Sequence, residues 1–163
     1  MQTETMGNCL ACGQVLPEQH VELSLNRQCL HYAKQPDGQV RVELEIMAAD
    51  VLYLFCPPCA DAGCAAAMRH EGVAVNFPTG PVGVCGRCQA PVPMSAPHSA
   101  YERLDGSFYW QAGSGWHCQP SDSETLAVVC QRCLDDPHWP AAALAREQSQ
   151  QDARCAALEK SKP

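Results

Sequence analysis

The sequence predicts a small α+β fold made of two tandem modules, each with antiparallel β-hairpins and one helix, followed by a C-terminal helix. Two observations lead to this fold class. Apolar residues alternate with polar ones between four CxxC motifs, which is typical of β-strands joined by short cysteine turns. The first and third motifs are 76 positions apart and the second and fourth 74 apart, so one plan is repeated. The motifs run from Cys9 to Cys12, Cys56 to Cys59, Cys85 to Cys88 and Cys130 to Cys133.

The first module is predicted to span residues 1–75. Alternating apolar residues at 21–25 predict a strand, and Pro-Asp-Gly at 36–38 predicts a turn. Strict alternation from 40 to 46 predicts a half-buried strand. A further apolar run leads into the second CxxC motif, and the alanine-rich segment after it, which ends before Gly72, predicts a helix.

The second module is predicted to span residues 76–139 and repeats this order. Asp-Gly at 105–106 is a turn signal, and a glycine-rich loop separates the aromatic residues at 108–110 from a last strand at 125–129. That strand leads into the fourth CxxC motif. The alanine-rich residues 140–163 are predicted to form a C-terminal helix and a frayed tail.

The cysteines are predicted to bind metal rather than to form disulfides. The first eight residues have no signal-peptide pattern and no apolar stretch is long enough for a membrane span, so we expect a cytoplasmic protein with reduced thiols. Two CxxC turns supply the four sulfur ligands that zinc binds in a tetrahedron, so the fold is expected to be metal-stabilised by two zinc ions. The expected ligands are Cys9, Cys12, Cys56 and Cys59 for one ion, and Cys85, Cys88, Cys130 and Cys133 for the other.

The sequence leaves the grouping of the four motifs open. Grouping within each module is expected, because sequential units usually close locally. A nested scheme would join the two middle motifs, and a cross-braced scheme would join the first motif with the third. Four further residues in comparable inserts could form a third metal site, and the alternative is that the two cysteines among them are buried thiols: Cys29, His31, His117 and Cys118.

In both predicted modules the second CxxC motif follows a strand and opens a helix. This order resembles the treble-clef and zinc-ribbon class of zinc modules, in which a β-hairpin separates two cysteine turns. The resemblance covers Cys9 to Cys133 and implies an architecture, with no particular activity attached to it. The inserts of 43 and 41 residues between the paired motifs are longer than in compact members of the class.

The predicted function is that of a non-enzymatic zinc protein that binds and modulates a partner protein or complex. Zinc held by four thiolates has no open position for a substrate, and the sequence has no Walker loop, dinucleotide-binding glycines, HExxH or GxSxG motif. No small-molecule substrate or membrane partner is expected. The candidate partner-binding residues are three arginines and two tryptophans: Arg87, Arg103, Arg132, Trp110 and Trp116.

Two other functions stay open at this point. The same arginines and tryptophans would suit a nucleic-acid-binding regulator, although a net charge of -7 disfavours contact with phosphates. The segment Cys56-Pro-Pro-Cys59, with a strand before it and a helix after it, looks like the active-site turn of thioredoxin-type proteins, which implies a thiol redox enzyme.

Overall fold

A computed structural model describes residues 7–136, except the side chain of Trp116. The strands are β1 (Gln19–Lys34), β2 (Val40–Phe55), β3 (Val82–Val84), β4 (Pro91–Pro93), β5 (His98–Gln111) and β6 (Gly115–Val129). The helices are α1 (Ala60–Glu71), which follows a 3-10 turn at Pro57–Cys59, and α2 (Gln131–Leu134). The predicted C-terminal helix at 140–163 lies outside the described residues.

The four long strands form one antiparallel sheet in the order β2-β1-β5-β6. Strands β1 and β2 are one hairpin, β5 and β6 are another, and the two hairpins join through β1 and β5. These central strands pair from Gln19 opposite Ser107 to Gln28 opposite His98. Beyond this overlap each hairpin continues as a pair of strands, so the two hairpin turns lie at opposite ends of the sheet.

The two halves of the chain share one sheet. Strands from the first and second halves of the chain pair with each other along ten residues. An isolated two-stranded hairpin is marginally stable in water, whereas a four-stranded sheet gives both central strands a partner on each side. The described part of the chain is a small α+β structure of mostly antiparallel strands, and the boundaries at 75 and 139 stay predictions.

Each hairpin is longer than the sequence indicates. Strands β1 and β2 each have 16 residues and turn at Gly38, inside the predicted turn, where φ is +85°. The turn predicted at Asp105-Gly106 is wrong, because β5 continues through it. The register with β6 shifts there instead, with Ser121 as the extra residue whose hydroxyl donates to the Asp105 carbonyl (3.1 Å). The second hairpin turns at Gly113, where φ is +88°.

The core lies between α1 and one face of the sheet. Leu23 and Tyr101 on the central strands are fully buried, as is Met68 on α1. The Tyr101 hydroxyl donates to one carboxylate oxygen of Glu71 (2.8 Å), and the Tyr53 hydroxyl donates to the other (2.9 Å). These two hydrogen bonds connect the C-terminal end of α1 to strands β5 and β2.

Helix α1 ends where the sequence predicts. Gly72 has a φ of +69°, and the amides of Gly72 and Val73 donate to the carbonyls of Arg69 and Met68. No helix within residues 7–136 is long and apolar enough to cross a membrane.

Candidate metal centres

The first CxxC turn is attached to the end of β2. The amide of Gly13 donates to the carbonyl of Cys9 (2.8 Å), which closes the turn, and Gly13 has a φ of +76°. The amide of Leu10 donates to the carbonyl of Leu54 (3.0 Å), two residues before Cys56. The first turn is thereby held against the strand that delivers the second CxxC motif.

The second CxxC motif forms where β2 passes into α1. Its first cysteine, Cys56, is still extended, with φ -68° and ψ 157°, and the 3-10 turn then brings Cys59 round. The Cys59 amide donates to the Cys56 carbonyl (3.0 Å). The ligand atoms of Cys9, Cys12, Cys56 and Cys59 all lie within 4.8 Å of one another.

The second half of the chain repeats this geometry. The amide of Gln89 donates to the carbonyl of Cys85 (3.0 Å). Gln89 has a positive φ (+64°), as Gly13 does at the corresponding position of the first turn. The amide of Gly86 donates to Val128, again two residues before the next cysteine. The ligand atoms of Cys85, Cys88, Cys130 and Cys133 also lie within 4.8 Å of one another.

The cysteines group within each half of the chain, rather than in a nested or cross-braced manner. The Sγ–Sγ distances are 3.8 Å for Cys12 and Cys56, 3.8 Å for Cys85 and Cys133, and 3.5 Å for Cys88 and Cys130. A tetrahedron with metal–sulfur bonds of about 2.3 Å has edges of about 3.8 Å. Each group of four could therefore hold one metal ion of zinc size.

Backbone amides in the turns stabilise one thiolate in each group. Burial by itself raises the pKa of the Cys9 thiol, but the amides of Cys56, Cys12 and Ala11 lower it to about 7. The same balance sets the pKa of Cys85 at about 6, and there the Cys130 amide donates to the sulfur (3.4 Å).

The last cysteine of each group has the opposite shift. A hydrogen bond with Cys56 raises the pKa of Cys59 to about 12, and burial raises the pKa of Cys133 to about 12. Four thiolates at these distances repel one another, so all of them are deprotonated together only beside a cation. Burial also raises the pKa of Cys56, whereas the reactive cysteine of a thioredoxin-type turn has a lowered one.

The four residues named for a third site do not come together. Cys29 and His31 lie on the β1–β2 hairpin beyond its overlap with β5, whereas His117 and Cys118 lie on β6 near the other hairpin turn. His117 accepts or donates a hydrogen bond with Ser114 (2.7 Å) and stacks on Tyr109.

Cys29 and His31 instead meet Glu45, a residue that the sequence interpretation missed. The ligand atoms of these three residues also lie within 4.8 Å of one another. A signal was available, because Cys29 and Glu45 are equally distant from Asp37 in the predicted turn. An antiparallel hairpin places such residues opposite each other.

The candidate partner-binding residues are dispersed. Arg103 donates to Asp105 (2.8 Å) and to Asp61 (2.7 Å), so its charge is already paired. Arg87 is half-buried and Arg132 is exposed, each inside a CxxC turn. Trp110 is 49% exposed near the β5–β6 turn.

No family model, curated protein or solved structure matches this chain.

Proposed function

We propose that this chain is a non-enzymatic zinc protein of the cytoplasm that binds an extended segment of a partner protein along strand β2. Zinc is the ion proposed for both groups of four cysteines, because soft thiolates in a tetrahedron favour it over harder divalent cations. Four protein ligands leave no position for a substrate, so both ions would be structural. Their role would be to hold the base of each hairpin.

The observation that carries the proposal is an exposed apolar stripe on β2. Val40, Val42, Leu44 and Ile46 alternate along the strand and are each 51–57% exposed. Because β2 is an edge of the sheet, its outer backbone N–H and C=O groups have no strand beside them among residues 7–136. Such an edge, apolar on one face, is a template for another strand.

The stripe continues into a groove of about 260 Å³ on the same face of the sheet. Leu30 and Tyr32 on β1 lie opposite Leu44 and Val42, and Met94 lines the far side. The groove would receive apolar side chains of a strand that adds to β2, because alternate side chains of that strand point to one face.

Charge complementarity specifies the partner further. The opposite face of β2 carries Glu43, which contacts Arg41 (3.0 Å), and Glu45, which contacts His31 (2.6 Å), and the whole chain has a net charge of -7. The occupant that fits is therefore an extended segment in which apolar residues alternate with lysine or arginine. Nucleic acid is disfavoured by the same charge and by the pairing of Arg103 with two carboxylates.

Binding is tested with a synthetic peptide that alternates valine and lysine, measured by fluorescence anisotropy against the zinc-loaded chain. We expect saturable binding that Leu44→Lys weakens and that the matched variant Ala48→Lys, on the same exposed strand outside the stripe, affects less. Amide exchange should slow in β2 when the peptide binds. Equal binding by wild type and Leu44→Lys would contradict the proposal. If instead the wild-type chain forms a dimer and Leu44→Lys dissociates it, the occupant of the β2 edge is a second copy of the chain.

The zinc assignment is tested separately by native mass spectrometry of Cys12→Ser and Cys88→Ser. Each variant should lose one tightly held ion and keep the other, since the two groups have no ligand in common. Loss of both ions from either variant would contradict independent centres.

A further inference from the structure

The distal part of the β1–β2 hairpin has a second face with a different chemistry. Cys29 and His31 are two residues apart on β1, so their side chains lie on the same face, opposite to the apolar stripe. Glu45 is the direct partner of Cys29 on β2. The three side chains thus meet on one side of a two-stranded ribbon.

Their ligand atoms converge on one point. The Cys29 sulfur lies 3.4 Å from His31 Nε2 and 3.5 Å from Glu45 Oε2. His31 Nε2 and Glu45 Oε2 are 2.6 Å apart, which is a hydrogen-bond distance. A zinc ion with bonds of about 2.0–2.3 Å needs ligand separations of about 3.3–3.5 Å, so only the last pair has to open, by roughly 0.7 Å. The side chains of His31 and Glu45 are 56% and 57% exposed, so they are free to make that movement.

The arrangement does not match a nucleophile–base–acid triad. In such a triad the histidine contacts the nucleophile through one ring nitrogen and the acid through the other. Here the Cys29 thiol and the Glu45 carboxylate both contact Nε2 of His31. Three different donors directed at one point are instead what a metal ion requires.

We propose that Cys29, His31 and Glu45 bind a third divalent ion of the zinc class, with one coordination position left open to solvent. Mixed sulfur, nitrogen and oxygen ligands suit zinc or cobalt(II) rather than magnesium or calcium. Three protein ligands with an open fourth position differ from the two closed groups of four cysteines. The neighbouring carboxylate of Glu43 is paired with Arg41 (3.0 Å) and lies outside the three-ligand group.

The test is a titration of the full chain, already loaded with two zinc ions, with cobalt(II) followed by absorption and native mass spectrometry. Wild type is expected to take up one further ion and to show the charge-transfer band of a single thiolate. His31→Ala and Cys29→Ser should weaken that binding by more than about 100-fold. This loss is larger than the loss caused by changing a residue that only hydrogen-bonds to a metal ligand. Both variants should keep the two tightly held zinc ions, since neither changed side chain belongs to either group of four cysteines.

Two further variants serve as controls. Glu43→Gln removes a carboxylate charge like that of Glu45 from the position two residues earlier on the same face of β2. Cys118→Ser removes an exposed thiol from the other hairpin. Both should retain the third ion. Absence of a third equivalent in wild type, its survival in His31→Ala, or its equal loss in Glu43→Gln would overturn the proposal, whatever the outcome for the two cysteine groups.

Discussion

Gly86 occupies the second position of the third CxxC motif, where the first motif has Leu10. A β-carbon on Gly86 would lie 2.6 Å from Val73 Cγ1 and 2.8 Å from the carbonyl oxygen of Ala74. The Ala74 backbone is held in place, because its amide donates to the Gly86 carbonyl (2.8 Å). The Gly86 amide in turn donates to Val128 (2.9 Å). The glycine is thus enclosed between the segment after α1 and strand β6.

We predict that Gly86→Ala weakens metal binding by the second cysteine group and leaves the first group unchanged. Overpacking a close-packed site costs about 1–3 kcal/mol, and a contact with a hydrogen-bonded backbone oxygen favours the upper end of that range. About 3 kcal/mol corresponds to roughly 100-fold weaker affinity if the cysteine turn has to move. The first group is an internal control, since its turn carries a leucine side chain at the matched position.

The assay is competition with a metal-binding dye, combined with alkylation and mass spectrometry to identify which thiols become reactive. In Gly86→Ala, Cys88 and Cys130 should be released at a roughly 100-fold lower effective chelator strength than in wild type. Cys12 and Cys56 should be released as in wild type. Unchanged release of the second group would refute the reasoning, because the β-carbon would then fit without displacing the turn. Parallel weakening of both groups would refute it too, by placing the strain in the shared sheet.

Two further predictions concern stability. Tyr101→Phe should lower the free energy of unfolding by about 2 kcal/mol, because a buried hydrogen bond to the Glu71 carboxylate is lost. Tyr53→Phe, at a more exposed position, should lower it by about 1 kcal/mol. Urea unfolding of the zinc-loaded chain measures both values, and a larger loss for Tyr53→Phe would contradict this assignment. Burial raises the pKa of Glu22 in the folded state, so stability is lost as pH rises from the ordinary carboxyl range through that raised pKa. Glu22→Gln should therefore be more stable than wild type at pH 7, and the difference in stability should narrow toward acidic pH. Midpoints of urea unfolding between pH 5 and 8 test this prediction. A difference that stays constant with pH, or has the opposite sign, would contradict it.

Several features of the fold and the site could be predicted from neighbouring residues. The CxxC turns are closed by hydrogen bonds that span four residues, such as Gly13 to Cys9, so their geometry is contained in the motif. The stop of α1 at Gly72 and the hairpin turn at Gly38 also depend on a few adjacent residues. Counting outward from Asp37 in that turn would have paired Cys29 with Glu45.

Burial was harder to predict than local structure. The alternation from Val40 to Ile46 indicated a half-buried strand, and that interpretation is wrong for the structure, in which every residue of this segment is exposed. Alternation reports only that a strand has one apolar face. It does not report whether another part of the chain covers that face, so the same pattern suits a core strand and an exposed edge.

By itself the sequence determined the cysteine turns, the helix after the second motif and the apolar face of β2, because each depends on residues a few positions apart. Only the tertiary structure decided that β1 pairs with β5, that Arg103 is neutralised by Asp61 and Asp105, and that the β1–β2 hairpin extends past the sheet. The physical reason is distance along the chain. Strands about 80 residues apart pair because their association buries surface from both hairpins. The total buried surface depends on residues far apart in the sequence, so a local pattern does not predict it.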